Sequence, residues 1–269
     1  MKRSGIITLM TDFGLADPYV AMMKGVILSI NPRARLVDIS HHIIAGSILQ
    51  AAGVIQETFS FFPEGTVHVA VVDPGVGSDR RLIALEAGGH LFVGPDNGVF
   101  WPLIADYGEN RVIHITERRY LLPHVTRTFH GRDVFAPIAA HLSLGVDPGQ
   151  MGLEIKDTME LSLPKAHERE EMLHGQVVRV DNFGNLITNI SHQELERFLK
   201  ESKPFIHIGN LEIKDLNNIY SDVEKGEPLA FVNSSGMLEV AINLGRAADY
   251  VGIDPGEIVG AAVKVGRYE

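Results

Sequence analysis

The stretch Val71-Val72-Asp73-Pro74-Gly75-Val76-Gly77-Ser78-Asp79-Arg80-Arg81 decides how this chain is read. It closes an apolar, alternating run that begins at His68, the pattern of a buried strand. The run ends at an acid and breaks into a Pro-Gly-x-Gly turn that carries further acids and arginines. In α/β sheets, ligands bind outside the carboxyl ends of strands. Glycines at such a turn let the backbone approach a ligand and adopt positive φ. An acid and a base on so tight a turn suit a site better than a core. Asp79 and Arg81, in the same run, receive no role.

Working outward, Ile6 to Thr11 reads as a buried parallel strand and Pro18 to Asn31 as a helix that stops before Pro32. Arg35 to Ile39 is a second strand, Ser47 to Phe59 a helix, and Gly65 to Val72 the third strand. Leu82 to Ala87 and His90 to Val93 form a hairpin across Gly88-Gly89. Gly98 to Tyr107 and Asp133 to Leu144 read as helices. Alternating strands and helices predict an α/β N-terminal domain, residues 1–163, with a mainly parallel central sheet. Residues 164–172 are charged and read as a linker. From 173 to 269 short β-branched runs alternate with turn signals such as Asn182-Phe183-Gly184 and Ser235-Gly236. That spacing predicts a small all-β, barrel-like C-terminal domain.

The composition narrows the function classes. The 269 residues carry 24 Lys+Arg against 34 Asp+Glu, a formal net charge of −10. Nucleic-acid binding is driven by cationic neutralisation of phosphates, so no nucleic-acid partner is expected. The absence of cysteine excludes disulfides, thiolate metal ligands and cysteine nucleophiles. The apolar run Ile6 to Met10 is too short for a signal peptide. No run approaches the ~18 residues of a membrane helix, so a cytoplasmic protein with no membrane partner is expected.

Polar-glycine clusters punctuate the chain: Thr11-Asp12-Phe13-Gly14, the Asp73 to Arg81 loop, Gly94-Pro95-Asp96-Asn97-Gly98, Thr128-Phe129-His130-Gly131-Arg132-Asp133, Asp181-Asn182-Phe183-Gly184-Asn185 and Asn233-Ser234-Ser235-Gly236. Each has a bland reading. Asp12 could cap the segment after it, and Asp133 could cap a helix entry. Asp96-Asn97-Gly98 and Asn182 to Asn185 are turn chemistry in their own right. A metal reading must use His41, His42, His68, Asp73, His130 and Asp133, but no His-x-x-x-His or His-Glu-x-x-His pair is present. Gly75-Val76-Gly77 lacks the Lys-Ser/Thr of a phosphate loop, and there is no Gly-x-Ser-x-Gly elbow.

In combination and in order, the six clusters resemble the S-adenosyl-L-methionine (SAM) hydroxide adenosyltransferase family, the adenosine-forming SAM hydrolases related to the fluorinase and chlorinase. The matching segments run from Thr8 to Gly260. The resemblance implies cleavage of SAM at ribose C5′ by water, giving adenosine and L-methionine, with neither cofactor nor metal. It maps the water-activating set onto Asp73, Arg80 and His130. The halide-using relatives lack this trio. Asp12 matches the carboxylate that accepts from both ribose hydroxyls, and Asp181 the acid that pairs with the methionine ammonium. Ser234 matches a serine donating to the methionine carboxylate. Asn185 matches the amide that reads the adenine edge, with both donor and acceptor available, and Phe183 and Tyr220 match aromatics near the base. The family builds its sites between the N-terminal domain of one subunit and the C-terminal domain of its neighbour. A homotrimer with sites at subunit interfaces is therefore implied.

The chemistry fits this substrate. A sulfonium needs no acid to depart, but hydroxide is scarce at neutral pH because water has a pKa near ~15.7. Arg80 suits stabilisation of developing hydroxide, and either Asp73 or His130 suits proton acceptance. The chain departs from the pattern at Gly46, where relatives carry an aromatic, and at Ser235, which is arginine in the fluorinase. Two alternatives stand beside hydrolysis. One is a sensor that binds SAM or adenosine with little turnover, and the other is a halide-dependent 5′-halo-adenosine synthase.

Overall fold

The computed structural model describes residues 1–268; the chain divides into two compact units, Met1–Leu161 and Ser162–Glu269. The first unit is built on seven strands: β1 Ile6–Thr11, β2 Arg35–Ser40, β3 Val67–Val71, β4 Leu82–Ala87, β5 His90–Pro95, β6 Arg111–Ile115 and β7 Gly152–Ile155. Their order across the sheet is β2-β1-β3-β5-β4-β6-β7. Helices α1 Tyr19–Ile30, α2 Ile48–Thr58, α3 Trp101–Asp106 and α4 Ala136–Ser143 cover it. Met23 and Ile27 of α1 pack with Ile138 and Leu142 of α4 over Leu9 and Val69 on one face. Ala51 and Ile55 of α2 and Leu103 of α3 pack over Met10, Ala70 and Phe92 on the other. β3 is therefore buried on both faces and reads as a continuous apolar run.

The sheet is mixed: its core pairs are parallel, as the alternation of elements predicts, and its outer pairs are antiparallel. β2–β1, β1–β3 and β3–β5 pair in parallel, while β5–β4, β4–β6 and β6–β7 are antiparallel. The cause is the Gly88-Gly89 turn, with φ of +55° and +80°, which folds β4 back on β5. The later strands then add to the hairpin's outer edge. Chain order departs from β1 in both directions, to β2 on one side and β3 on the other. That makes the β1/β3 boundary a topological switch point, where loops diverge and leave a crevice.

The second unit is all antiparallel. Its strands are β8 His167–Arg169, β9 Met172–Val180, β10 Leu186–Ser191, β11 Lys203–Ile208, β12 Leu211–Lys214, β13 Pro228–Val232, β14 Met237–Ile242 and β15 Ala262–Tyr268. They run β12-β11-β15-β9-β10-β14-β13, with β8 paired to β9. Beyond β12, Asn217 N–H donates to Ala230 O of β13 at 2.8 Å, so the sheet nearly closes into a barrel. Leu173, Val177, Ile206, Leu238, Val240 and Val263 fill its core. The charged stretch 164–172 contributes β8 and its turn. Helix α5, His192–Leu199, lies where the spacing of the short apolar runs predicts only strands. It starts on a capping box: Glu194 N–H donates to Ser191 Oγ, and Ser191 N–H to Glu194 Oε2 at 2.9 Å. Among the described residues, no helix is long and apolar enough to cross a membrane.

Candidate active site

The first unit carries a cleft of about 430 Å³ at the β1/β3 switch point. It is lined by Asp12 and Phe13 after β1, Asp73, Pro74 and Val76 after β3, Ala45 and Gly46, and Phe129, His130 and Gly131 before α4. Arg80 joins it through its partners. Its Nε donates to Asp73 Oδ1 at 2.6 Å and Oδ2 at 2.8 Å, and its Nη2 donates to Asp73 Oδ2 as well. Arg80 Nη2 also lies 2.8 Å from His130 Nδ1. The Arg80 and Asp73 side chains are only 8% and 5% exposed, which strengthens the pairing and makes loss of either partner costly. Arg80 Nη1 is buried and has no hydrogen-bond partner among the described residues. Asp73, Arg80 and His130 thus form one contiguous set.

Local backbone chemistry brings these residues together. Gly77 has φ +82°, and a Cβ there would meet Arg127 O at 2.6 Å. The glycine lets the Asp73–Arg80 loop lie against the segment that carries His130. Ser78 Oγ donates to Gly75 O at 2.7 Å and accepts from Arg80 N–H at 3.3 Å, which tightens the loop. Residues Gly131–Phe135 form a π turn, a local widening often met at sites. Asp133 sits fully buried inside that turn and is not a helix cap. Its Oδ2 accepts from Thr126 N–H at 2.8 Å and Thr126 Oγ1 at 2.6 Å, and its Oδ1 from Arg132 Nε at 2.6 Å. Burial raises its pKa, but these hydrogen bonds outweigh it and hold Asp133 below the ordinary carboxylate value.

Asp12 Oδ2 accepts from Gly46 N–H at 2.8 Å. Gly46, φ +73°, therefore serves Asp12 through its backbone. Behind Asp12, Thr11 Oγ1 hydrogen-bonds His41 Nδ1 at 2.8 Å and accepts from Phe13 N–H at 3.2 Å. His41 Nε2 lies 3.1 Å from Asp38 Oδ1. Phe13, Tyr19 and Phe129 meet edge-to-face at 5.3–5.9 Å and form an apolar wall. Arg81 is not idle. Its Nε donates to Asp96 Oδ2 at 2.8 Å and its Nη1 to Asp157 Oδ1 at 2.8 Å, so it ties the loop to two neighbouring segments. Asp79 is exposed.

His130 is pushed below its ordinary pKa by burial first and by the Arg80 charge second, against pulls from Asp73 and Asp133. It is neutral at neutral pH. A guanidinium only donates, so His130 Nδ1 is the acceptor and Nε2 carries the proton. Among the described residues, no group of three or more His, Asp or Glu is placed to hold a metal ion.

The second unit gathers Asp181, Asn185 and Tyr220. Asn185 N–H donates to Asp181 Oδ1 at 2.9 Å, and Asn185 Nδ2 lies 3.1 Å from Asp181 Oδ2 and 3.0 Å from Tyr220 Oη. Phe183 is 73% exposed on the adjoining turn, and Tyr220 is 44% exposed. Ser234 is exposed at the tip of the β13–β14 turn, where Asn233 Oδ1 accepts from Ser235 N–H at 3.0 Å and Met237 N–H at 3.1 Å. Glu239, which stands in none of the polar-glycine clusters, joins these groups. Its Oε1 accepts from Asn185 Nδ2 at 2.9 Å and Tyr220 Oη at 3.2 Å, and its Oε2 from Asn233 Nδ2 at 3.0 Å. The available signal was a carboxylate between Leu238 and Val240 in a buried strand, which requires partners.

Models of the SAM hydroxide adenosyltransferase N-terminal domain match residues 7–152, and models of its C-terminal domain match residues 175–260. The (R)-S-adenosyl-L-methionine hydrolase of Salinispora tropica is 39% identical over 258 residues, covering 93% of this chain and 95% of that protein. A fluorinase from an Actinoplanes species is more distant, 27% identical with 88% of this chain and 91% of that protein covered. A solved structure of an uncharacterized conserved protein from Thermotoga maritima superposes with a TM-score of 0.89 at 33% identity, covering 97% of this chain and 100% of that one.

Proposed function

Because this chain belongs to the SAM hydroxide adenosyltransferase family, we infer that it hydrolyses S-adenosyl-L-methionine, releasing adenosine and L-methionine. The observation that carries the chemistry is the contiguous Asp73–Arg80–His130 set at a cleft that also bears Asp12. Water oxygen bonds to ribose C5′ as the C5′–S bond breaks, and the bonding pair leaves with sulfur as the methionine thioether. The water proton passes to a base and then to solvent.

In this reading the roles divide among the three residues. His130 is not the base in this arrangement: its Nδ1 lone pair is engaged by Arg80 and its Nε2 already carries a proton. Asp73 meets Arg80 with both oxygens, yet a carboxylate has about four lone-pair sites, so it retains capacity to take the water proton. Arg80 stabilises the developing hydroxide by its positive charge. His130 orients Arg80. A halide would meet the Asp73 carboxylate at the same place, and like charges repel, so water is favoured over chloride or fluoride.

Asp12 holds the ribose diol, Asp181 the methionine ammonium and Ser234 the methionine carboxylate. Asn185 reads adenine, with Phe183 and Tyr220 packing near the base. The broad exposure of Phe183 and Tyr220 supports a further surface covering them. In this reading three copies assemble, so that neighbours complete each site, and the enzyme is cytoplasmic. The direct test is incubation of purified protein with SAM and chromatography of the products. Adenosine and methionine in equal amounts are expected. SAM binding without adenosine release above background contradicts the reading and leaves a sensor.

A further inference from the structure

The Gly94-Pro95-Asp96-Asn97-Gly98 cluster closes β5 and lines no part of the cleft. Its side chains reach instead to the two ends of the loop that carries Asp73 and Arg80. Asn97 Nδ2 donates to Val72 O at 2.9 Å, one residue before Asp73. Asn97 Oδ1 accepts from Val99 N–H at 3.2 Å, so each side of the amide has its own partner and the orientation is set. One residue after Arg80, Arg81 Nε donates to Asp96 Oδ2 at 2.8 Å. Asp96 N–H donates to Arg81 O at 3.0 Å, which extends the β4–β5 ladder by one step. Asp96 Oδ1 accepts from Met159 N–H at 2.9 Å. Asp96 is buried, and a buried carboxylate is costly unless it is paired and hydrogen-bonded. Gly94 brings the end of β5 close to β3: a Cβ there would meet Ala70 O at 2.5 Å.

We propose that Asp96 and Asn97 are positioning residues for the hydrolysis, which clamp the Asp73–Arg80 loop to the sheet at both ends and so hold it in place against His130. Residues 73–81 belong to no helix or strand. Their inner hydrogen bonds, through Ser78 and between Asp73 and Arg80, fix the shape of the loop. Those bonds would survive a movement of the loop as a whole. The 2.8 Å contact of Arg80 with His130 would not, because His130 stands on a different segment. A displacement of about 1 Å at reacting groups costs on the order of 100-fold in rate. The outer bonds from Asp96 and Asn97 oppose that movement. The proposal rests on the reading that Asp73, Arg80 and His130 act on SAM.

The test compares the full-length protein with Asn97→Asp and Asp96→Asn by SAM turnover, calorimetric SAM binding and melting temperature. The His130 imidazole is followed in parallel by NMR titration, its signal assigned with His130→Gln. Asn97→Asp sets an acceptor against Val72 O, and Asp96→Asn sets an N–H against Arg81 Nε or Met159 N–H. Each should lower kcat by about 10- to 100-fold and keep SAM affinity within about threefold. Burial and then Arg80 hold the His130 midpoint down, against Asp73 and Asp133. Asp96→Asn slackens Arg81 and lets Arg80 retreat, so the midpoint should rise. A purely structural role would lower melting temperature, turnover and affinity together and leave the midpoint in place. The inference is overturned by folded variants whose kcat stays within about twofold of wild type, or whose SAM affinity falls as far as kcat. If either variant does not fold, Arg81→Lys decides by the same measurements, since it keeps the charge and loses the fork to Asp96 and Asp157. A wild type that releases no adenosine sinks the hydrolase reading. The His130 midpoint then decides the clamp on its own: a rise in Asp96→Asn supports it, and an unchanged midpoint overturns it.

Discussion

A guanidinium has donors only, so the Arg80 bond to His130 Nδ1 at 2.8 Å sets the imidazole tautomer and with it the division of labour in the set. In the proposed mechanism, removing Arg80 takes away stabilisation that exists chiefly as charge develops on water. Arg80→Ala should lower kcat by about 100-fold or more with a much smaller change in SAM affinity. Steady-state kinetics beside calorimetry separates the two, and an unchanged kcat contradicts the assignment. The His130 pKa lies below its ordinary value because of burial and Arg80. Activity needs the neutral imidazole, so it should hold as pH falls to ~6.5 and decline only below that, as protonation sets His130⁺ against Arg80. An acid limb of kcat/KM above ~7 contradicts this account. At this scale the grouping was legible in sequence, because Asp12, Asp73 and Arg80 stand on glycine-bearing turns next to strands and His130 on one at a helix entry. Glu239, Asn233 and Thr126 were not, because their meaning lies in partners distant along the chain.

Among the elements, β1, β3 and β5 carry a buried polar chain beside the apolar core. Thr8 Oγ1 meets His68 Nδ1 at 2.8 Å, and His68 Nε2 meets His90 Nδ1 at 3.2 Å. Burial, with His90 adding, pushes the His68 pKa down to about 3. The folded state keeps His68 neutral, whereas the unfolded chain protonates it near ~6.5. Its contribution to stability is therefore complete above ~6.5 and is lost as pH falls from there towards about 3. Melting temperature should fall across that window, and His68→Gln should flatten the slope. A slope unchanged in the variant contradicts the assignment. The β4–β5 hairpin was legible from Gly88-Gly89, and the core helices from their apolar spacing. The reversal of strand direction beyond β5 was not, because pairing partners of later strands leave no local mark. Helix α5 is different: its Ser191-x-x-Glu194 signal stood in the sequence between two strand-like runs. Ser191→Ala should cost about 1 kcal/mol, measured by denaturant melts.

For the molecule as a whole, each unit carries part of the proposed binding set on its own elements. The first unit holds a cleft with an acid, a guanidinium and an imidazole in one hydrogen-bonded set. The second holds exposed aromatics and an amide fixed by carboxylates. Assembly of copies should therefore matter to activity: sedimentation is expected to give a trimer, and dilution that dissociates it should lower specific activity. A monomer with full activity contradicts the shared-site proposal. The two-unit organisation was legible from the change in strand spacing after residue 163, because helical crossovers give way to closely spaced turns. The central claim is that water attacks ribose C5′ and sulfur leaves as methionine. Turnover of SAM in water enriched in oxygen-18 tests it most directly. The account predicts one labelled oxygen in the 5′-hydroxyl of adenosine and none in methionine. Adenosine without label, or a halogenated nucleoside formed in its place, would contradict it.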